Sequence, residues 1–209
     1  MKNLILIAPP AAGKGTLSNM LCEKFGYVSI STGDMLREKA KEDEKLREAL
    51  KSGLLISDEE VFEALKSKLN KLGNTPYILD GFPRTVNQAV MYDNLLKDMD
   101  KELGVVIYLD VDKEELKNRV VTRMVCPSCN ISYSKRNKSL FPKVEGVCDN
   151  CKSSLIQRED DSEEVFYKRY EEFLSKTSPL VHYYESLGLL KRINGEDVYS
   201  VFEEVSKVI

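Results

Sequence analysis

Five short apolar segments, residues 4–8, 28–31, 77–80, 105–110 and 190–193, alternate along the chain with stretches of helical periodicity. Strands spaced by helix-length segments are the signature of a parallel sheet covered by helices on both faces, so the sequence predicts an α/β fold. The first of these strands runs into Ala8-Pro9-Pro10-Ala11-Ala12-Gly13-Lys14-Gly15-Thr16 and then into a helical pattern over residues 17–25. A buried strand, a loop of small residues, Gly-Lys and a helix start together describe a phosphate-binding loop. Consecutive backbone N–H groups and the helix N-terminus face the anion, and Lys14 adds a mobile positive charge.

Other helices are legible from local signals. Val61, Leu65, Leu69 and Leu72 recur at helical spacing, and Ser57 with Glu60 forms a capping-box pattern at the start of that helix. Residues 112–123 read as a helix with Asp112 as its N-cap. This would put Arg119 and Arg123, spaced i, i+4, on one helix face. Residues 159–184 read as a long helical region broken at Pro179. Residues 32–56 form a charged helical excursion between two strands, and Cys22 is expected as a buried small apolar residue.

Helical periodicity stops between residues 124 and 157, where prolines, a glycine and four of the five cysteines appear. Cys126-Pro-Ser-Cys129 and Cys148-Asp-Asn-Cys151, eighteen residues apart, have the spacing of a zinc ribbon. Four thiolates close a tetrahedral site, so the zinc is expected to be structural and to substitute for a core that so small a subdomain cannot build. Residues 123–158 carry seven basic against two acidic side chains, although the whole chain has a net charge of −3. A mildly acidic total argues against general nucleic-acid binding. The longest apolar runs fall far short of the ~20 residues of a membrane helix. Met1-Lys2-Asn3 leads straight into a strand without a signal-length apolar region, so a cytoplasmic protein with no membrane partner is expected.

Tyr77-Ile78-Leu79-Asp80-Gly81-Phe82-Pro83-Arg84 delivers a carboxylate and then an arginine at the carboxyl edge of a strand, where ligands of such sheets bind. Asp80 is suited to hold magnesium through water, since magnesium keeps much of its hydration shell and takes few carboxylates. The only histidine, His182, lies in a helical stretch between Val181 and Tyr183 and is assigned a packing or surface role. Mechanisms that need a histidine base have little support.

The set of motifs resembles the adenylate kinases of the long-lid, zinc-containing type, within the nucleoside monophosphate kinases. The matching segments are Gly13-Lys14-Gly15-Thr16, Ser31-Thr32-Gly33-Asp34-Met35-Leu36-Arg37, Asp80-Gly81-Phe82-Pro83-Arg84-Thr85 with Gln88, Arg119 with Arg123, and Arg158-Glu159-Asp160-Asp161 with Arg169. The resemblance implies a P-loop NTPase-like core over residues 1–30, 61–122 and 161–209, an AMP-binding domain over 31–60 and a zinc-containing lid over 123–160. It implies a monomer that converts MgATP and AMP into two ADP, with no nucleic-acid partner. ATP would contact Ala11, Ala12, Gly13, Lys14, Gly15, Thr16, Arg119, Arg123 and Gly195, with magnesium on Asp80 through water. AMP would contact Thr32, Arg37, Leu54, Leu55, Ile56, Gly81, Arg84, Gln88, Arg158 and Arg169. Lys14, Arg84, Arg123, Arg158 and Arg169 would carry the phosphoryl transfer, and Cys126, Cys129, Cys148 and Cys151 the zinc. Transfer between two polyphosphates is mainly positioning plus positive electrostatics, which suits guanidinium forks. The family usually has glycine where this chain has Ala8 and Ala11, and Pro9 is extra, so an active enzyme with an altered loop conformation is expected. A competing reading takes the basic ribbon with Tyr133 and Phe141 as a nucleic-acid surface; its basic excess is small beside the complete arginine set.

Overall fold

The computed structural model describes residues 2–52 and 57–209. Its centre is a five-stranded sheet in the order β2-β3-β1-β4-β7, with every neighbouring pair parallel. The strands are β1 (Leu4–Ile7), β2 (Val28–Ser31), β3 (Tyr77–Asp80), β4 (Val105–Asp110) and β7 (Leu190–Asn194). All five expected strands are present. Alternate residues of β1 point to opposite faces, and both faces are apolar because helices cover both.

On one face Ile5, Ile7, Leu79 and Val106 pack against α4 (Asp58–Leu72), α5 (Val86–Asp98) and α8 (Ser178–Ser186) through Val61, Leu65, Leu69, Leu95, Leu96 and Leu180. On the other, Leu4, Leu6, Ile78, Ile107 and Leu109 meet α1 (Lys14–Phe25), α6 (Lys113–Val121), α7 (Glu163–Glu172) and α9 (Val198–Ser206) through Leu17, Leu21, Leu116, Phe166 and Val201. Cys22 on α1 is half-buried rather than buried, at the margin of this second cluster.

Register carries this packing to the ligand edge. Leu6 pairs with Asp80 and Ser31 pairs with Asp80 from the other side, so the carboxyl ends of β1, β3 and β2 finish level. Asp110 pairs with Asn194 at the far edge, which brings the turn at Gly195 to the same side of the sheet.

Helix starts follow their sequence signals. Asp112 accepts from the N–H groups of Glu114 and Glu115 at 2.8 and 3.2 Å, and Ser57 Oγ accepts from the N–H of Glu60 at 3.4 Å. The Ser57 hydroxyl also donates to the Glu60 carboxylate at 2.9 Å. Helix ends depart from the sequence reading. The helix α6 stops at Val121, and Arg123 begins β5 (Arg123–Val125), so Arg119 and Arg123 do not share a helix face. The β-branched run Val120-Val121-Thr122 is a poor helix interior, and Arg123 instead pairs antiparallel with Ser134 of β6 (Ser132–Ser134). Likewise residues 158–161 form a turn, closed by the Asp161 N–H donating to the Arg158 carbonyl at 3.1 Å, and α7 begins only at Glu163. The break expected at Pro179 takes the form of a π-turn over Phe173–Thr177, in which the N–H of Ser178 reaches the Phe173 carbonyl. The wider turn lets the helical path continue to Ser186 although Pro179 has no N–H to give.

The segment between β5 and α7 packs its own small cluster of Cys126, Tyr133, Cys148 and Leu155. Short α2 (Thr32–Lys39) and α3 (Glu44–Ser52) occupy the excursion after β2. No helix among the described residues is long and apolar enough to cross a membrane.

One close approach holds the amino end of the sheet together. A Cβ on Gly104 would lie 1.7 Å from the carbonyl oxygen of Asn3, which accepts the N–H of Val105 at 2.9 Å. No side-chain motion relieves a clash with backbone, so Gly104→Ala should lower unfolding stability by roughly 3 kcal/mol. The urea midpoint at unchanged m-value measures it.

Candidate active site

After β1 the loop turns back on itself, with the Ala12 N–H donating to the Pro9 carbonyl at 3.4 Å. Two residues take left-handed backbone: Ala11, with φ 62°, and Gly13, with φ 91°, which precedes α1. The Cβ of Ala11 makes that conformation costly by about 1–2 kcal/mol. Ala11 thus holds a backbone conformation that glycine would adopt without that cost, and the loop is wrapped around an open cavity. No side chain caps α1, so the N–H groups of its first turn are left for an anion. Lys14 Nζ donates to the carbonyls of Ala8 at 3.0 Å and Pro9 at 3.3 Å. Burial pushes its pKa down to about 8; the neighbouring Asp80 opposes that shift, while Arg84, Arg169 and Arg123 add to it.

Two cavities open along the sheet edge. The first, about 280 Å³, is bordered by Ala11–Thr16, Asp80, Arg119, Arg123 and Gly195, and is roofed by Ser132, Tyr133, Ser134 and Asn137 of the inserted segment. The second, about 500 Å³, is bordered by Thr32, Leu36, Arg37, Val61, Gly81, Arg84, Gln88, Arg158 and Arg169. Gly33, Arg37, Gly81, Arg84, Arg158 and Arg169 border both. The cavities therefore meet along a line of guanidinium groups. Leu54, Leu55 and Ile56 lie outside the described residues.

Arg84, Arg37, Arg169 and Arg123 are each held by a nearby acceptor. Arg84 Nε donates to the Gly81 carbonyl at 2.9 Å, which also accepts the Thr32 hydroxyl at 2.8 Å. Gly81 has φ 83°, and a Cβ there would lie 2.8 Å from Thr32 Oγ1 and 3.1 Å from Arg84 Nη2, so glycine is required for all three to converge. Arg37 pairs with Asp34 at 2.5 Å and Arg169 with Asp160 at 3.0 Å. Arg123 grips the buried Asp161 with two nitrogens, Nε at 2.8 Å from Oδ2 and Nη2 on Oδ1. Burial opposes the charge of Arg123, but the hydrogen-bonded Asp161 carboxylate outweighs it and holds the pKa above the ordinary arginine value. Burial lowers Arg84, and it brings Arg158 and Arg169 down to about 10, with neighbouring guanidinium groups adding to the effect. Asp80 is pushed the other way: burial raises its pKa, against the pull of Lys14 and Arg84. A divalent cation beside this desolvated carboxylate would compensate its charge.

At the far end of the first cavity Arg119 lies across the Gly195 turn. Its Nη1 and Nη2 donate to the carbonyls of Gly195 at 3.1 Å and Glu196 at 2.7 Å, and Nε donates to Glu115 at 2.9 Å. These hydrogen bonds fix the planar group at the border of the cavity. His182 is exposed on α8 and borders neither cavity.

The sulfurs of Cys126, Cys129, Cys148 and Cys151 all lie within 4.8 Å of one another, with the pairs Cys126–Cys151 and Cys129–Cys148 at 3.2 and 3.5 Å. These are contacts between free thiols, not disulfides. A tetrahedral zinc with bonds of ~2.3 Å asks for sulfurs about 3.8 Å apart, so the group fits that ion. Both C-x-x-C turns close alike. The N–H of Asn130 returns to the Cys126 carbonyl at 2.9 Å and that of Lys152 to the Cys148 carbonyl at 3.0 Å, each from left-handed backbone. The Tyr133 hydroxyl lies 3.4 Å from Cys148 Sγ and accepts the Asp149 N–H at 2.8 Å, so this buried ring is built into the cysteine cluster.

Sequence reasoning missed the partners of the arginines. Asp160 and Asp161 were visible as an acidic pair beside Arg158, but their hold on Arg169 and Arg123 spans nine and 38 residues.

A model of the adenylate kinase family matches residues 6–189. The chain is 42% identical over 213 residues to an adenylate kinase of Thermosipho africanus, with 99% of each chain covered. It is 40% identical to those of Thermotoga maritima, over all of this chain and 97% of that one, and Clostridium botulinum, over 99% and 97%. Likeness at this level along the whole length, joined to a phosphate loop and an arginine line at one sheet edge, means that the chain belongs to the adenylate kinase family and is an ATP:AMP phosphotransferase.

Proposed function

We propose that ATP occupies the first cavity and AMP the second, so that the γ-phosphate and the AMP phosphate meet at the arginines bordering both. The observation that carries this reading is the shared wall of Arg37, Arg84, Arg158 and Arg169. The first turn of α1 and Lys14 receive the β- and γ-phosphates, with Lys14 turning from the loop carbonyls to the anion. Arg119 covers the adenine of ATP at the Gly195 turn. Arg37 and Arg84 hold the AMP phosphate, and Gln88 reads its base beside Thr32.

The attacking phosphate of AMP is anionic, so no strong base is required; alignment and charge compensation dominate. Arg123, Arg158 and Arg169 exchange carboxylate and solvent partners for the oxygens of the transferring group. Magnesium, which the family uses with ATP, neutralises charge between the phosphates when bound, and Asp80 would hold its water shell. Residues 123–160 act as the lid whose closure excludes water and prevents hydrolysis, and residues 31–60 act as the AMP-binding domain. The four thiolates would hold zinc as a structural ion that keeps the lid folded. Described residues of a single chain border both cavities, which supports a monomer, and reduced thiolate ligands suit the cytoplasm.

Incubation with MgATP and each nucleoside monophosphate in turn tests the assignment. ADP formation should depend on AMP, and turnover only with another monophosphate would overturn it. Arg84→Ala should lower kcat by about 100-fold or more while thermal melting stays close to that of the parent, as expected for loss of a charge-stabilising donor.

The efficiency with ATP should depend on pH through Lys14. Its charge is present below about pH 8 and lost above it, so kcat/KM for ATP should fall as pH rises through that value. Bound polyphosphate restores the charge, so the corresponding fall in kcat should begin at higher pH. Cys129→Ser should lower zinc content and melting temperature more than it lowers turnover at 25 °C; metal loss with unchanged melting would contradict a structural ion.

A further inference from the structure

Asp58, in the first turn of α4, is tied to the start of α5 by three hydrogen bonds. Gln88 Nε2 donates to its Oδ1 at 2.6 Å, while Thr85 Oγ1 and Asn87 Nδ2 donate to its Oδ2 at 3.0 and 3.2 Å. At the other end of the Gln88 amide, the backbone N–H of Arg84 donates to Oε1 at 2.7 Å. These partners leave one orientation for the amide. A carboxylate only accepts and a backbone N–H only donates, so the nitrogen must face Asp58 and the oxygen must face Arg84. Gln88 is 2% exposed and borders the second cavity beside Thr32, Leu36 and Val61.

We infer that Asp58 is a positioning residue that sets purine specificity: by holding the Gln88 amide one way round, it makes the monophosphate site accept a 6-aminopurine and reject a 6-oxopurine. The inference rests on Gln88 facing the base of AMP, as proposed above. With one site at each end already occupied, the amide retains one N–H and one oxygen lone pair. Adenine offers a donor at N6 and an acceptor at N1, which match them. Hypoxanthine offers an acceptor at O6 and a donor at N1, and pairs only with a reversed amide. Reversal would set Oε1 against the Asp58 carboxylate and Nε2 against the Arg84 N–H, two buried mismatches at once. The wrong base is thus rejected by a penalty built outside the cavity wall, since Asp58 does not border the cavity.

The test is kcat/KM for AMP and for IMP, at saturating MgATP, in the parent, Asp58→Asn and Gln88→Ala. Asp58→Asn preserves shape, but its amide can turn its oxygen to Thr85 and Asn87 and its NH2 to Gln88, which removes the preference for nitrogen there. The AMP:IMP ratio should fall tenfold or more in Asp58→Asn, and it should also collapse in Gln88→Ala. An unchanged ratio in Gln88→Ala would overturn the reading of Gln88 as the base reader. A collapsed ratio there with an unchanged ratio in Asp58→Asn would overturn the role of Asp58, as would equal losses with both nucleotides, the mark of a purely structural contact. Asp58→Ala, which removes the acceptor without adding a donor, is read in the same way should Asp58→Asn melt below the assay temperature.

Discussion

Crowding of like charge is the constraint around which this molecule is arranged. Burial lowers the pKa of Lys14, Arg84, Arg158 and Arg169, neighbouring guanidinium groups such as Arg37 and Arg123 lower them further, and a fold that gathers these cations must offset their repulsion before any substrate arrives. It does so with carboxylates and carbonyls placed one partner at a time: Asp34 for Arg37, Asp160 for Arg169, Asp161 for Arg123, the loop carbonyls of Ala8 and Pro9 for Lys14. These partners carry less negative charge than a polyphosphate. Substrate binding is then an exchange of partners, and the cations are already aimed when it happens.

The sheet makes that aiming possible at small expense. Parallel pairing with level carboxyl ends puts the phosphate loop, Thr32, and the Asp80–Arg84 segment side by side without any long loop having to find its place. Tolerance at a single point of the loop follows. Ala11 adopts left-handed backbone in spite of its Cβ because the strand before it and the helix after it fix both ends of the turn.

Local physics made much of this legible in the sequence. The five strands, the Asp112 and Ser57 caps and the cysteine pairs rest on neighbours within a few residues, and those signals survive folding. Arg123 was misplaced for the complementary reason. Its helical spacing from Arg119 is a local cue, while its actual conformation is set by antiparallel pairing with Ser134 and by Asp161, which no window of helical length contains. The same holds for Asp58, whose first-turn position reads as helix chemistry until α5 is brought alongside. In the inserted segment the opposite applies. With only Cys126, Tyr133, Cys148 and Leu155 as a cluster, its order depends on ligand spacing more than on apolar pattern, and spacing is visible in a sequence.

The edge strand β7 pairs with β4 across α6, the entire inserted segment, α7 and α8, with Asp110 opposite Asn194. A chain made from its amino end therefore completes four strands and the phosphate loop long before residues 190–194 emerge to close the sheet. The Gly195 turn, and with it the outer wall against which Arg119 lies, forms last. During synthesis the exposed flank of β4 waits as an unpaired strand edge, a template for wrong pairing until its proper neighbour leaves the ribosome.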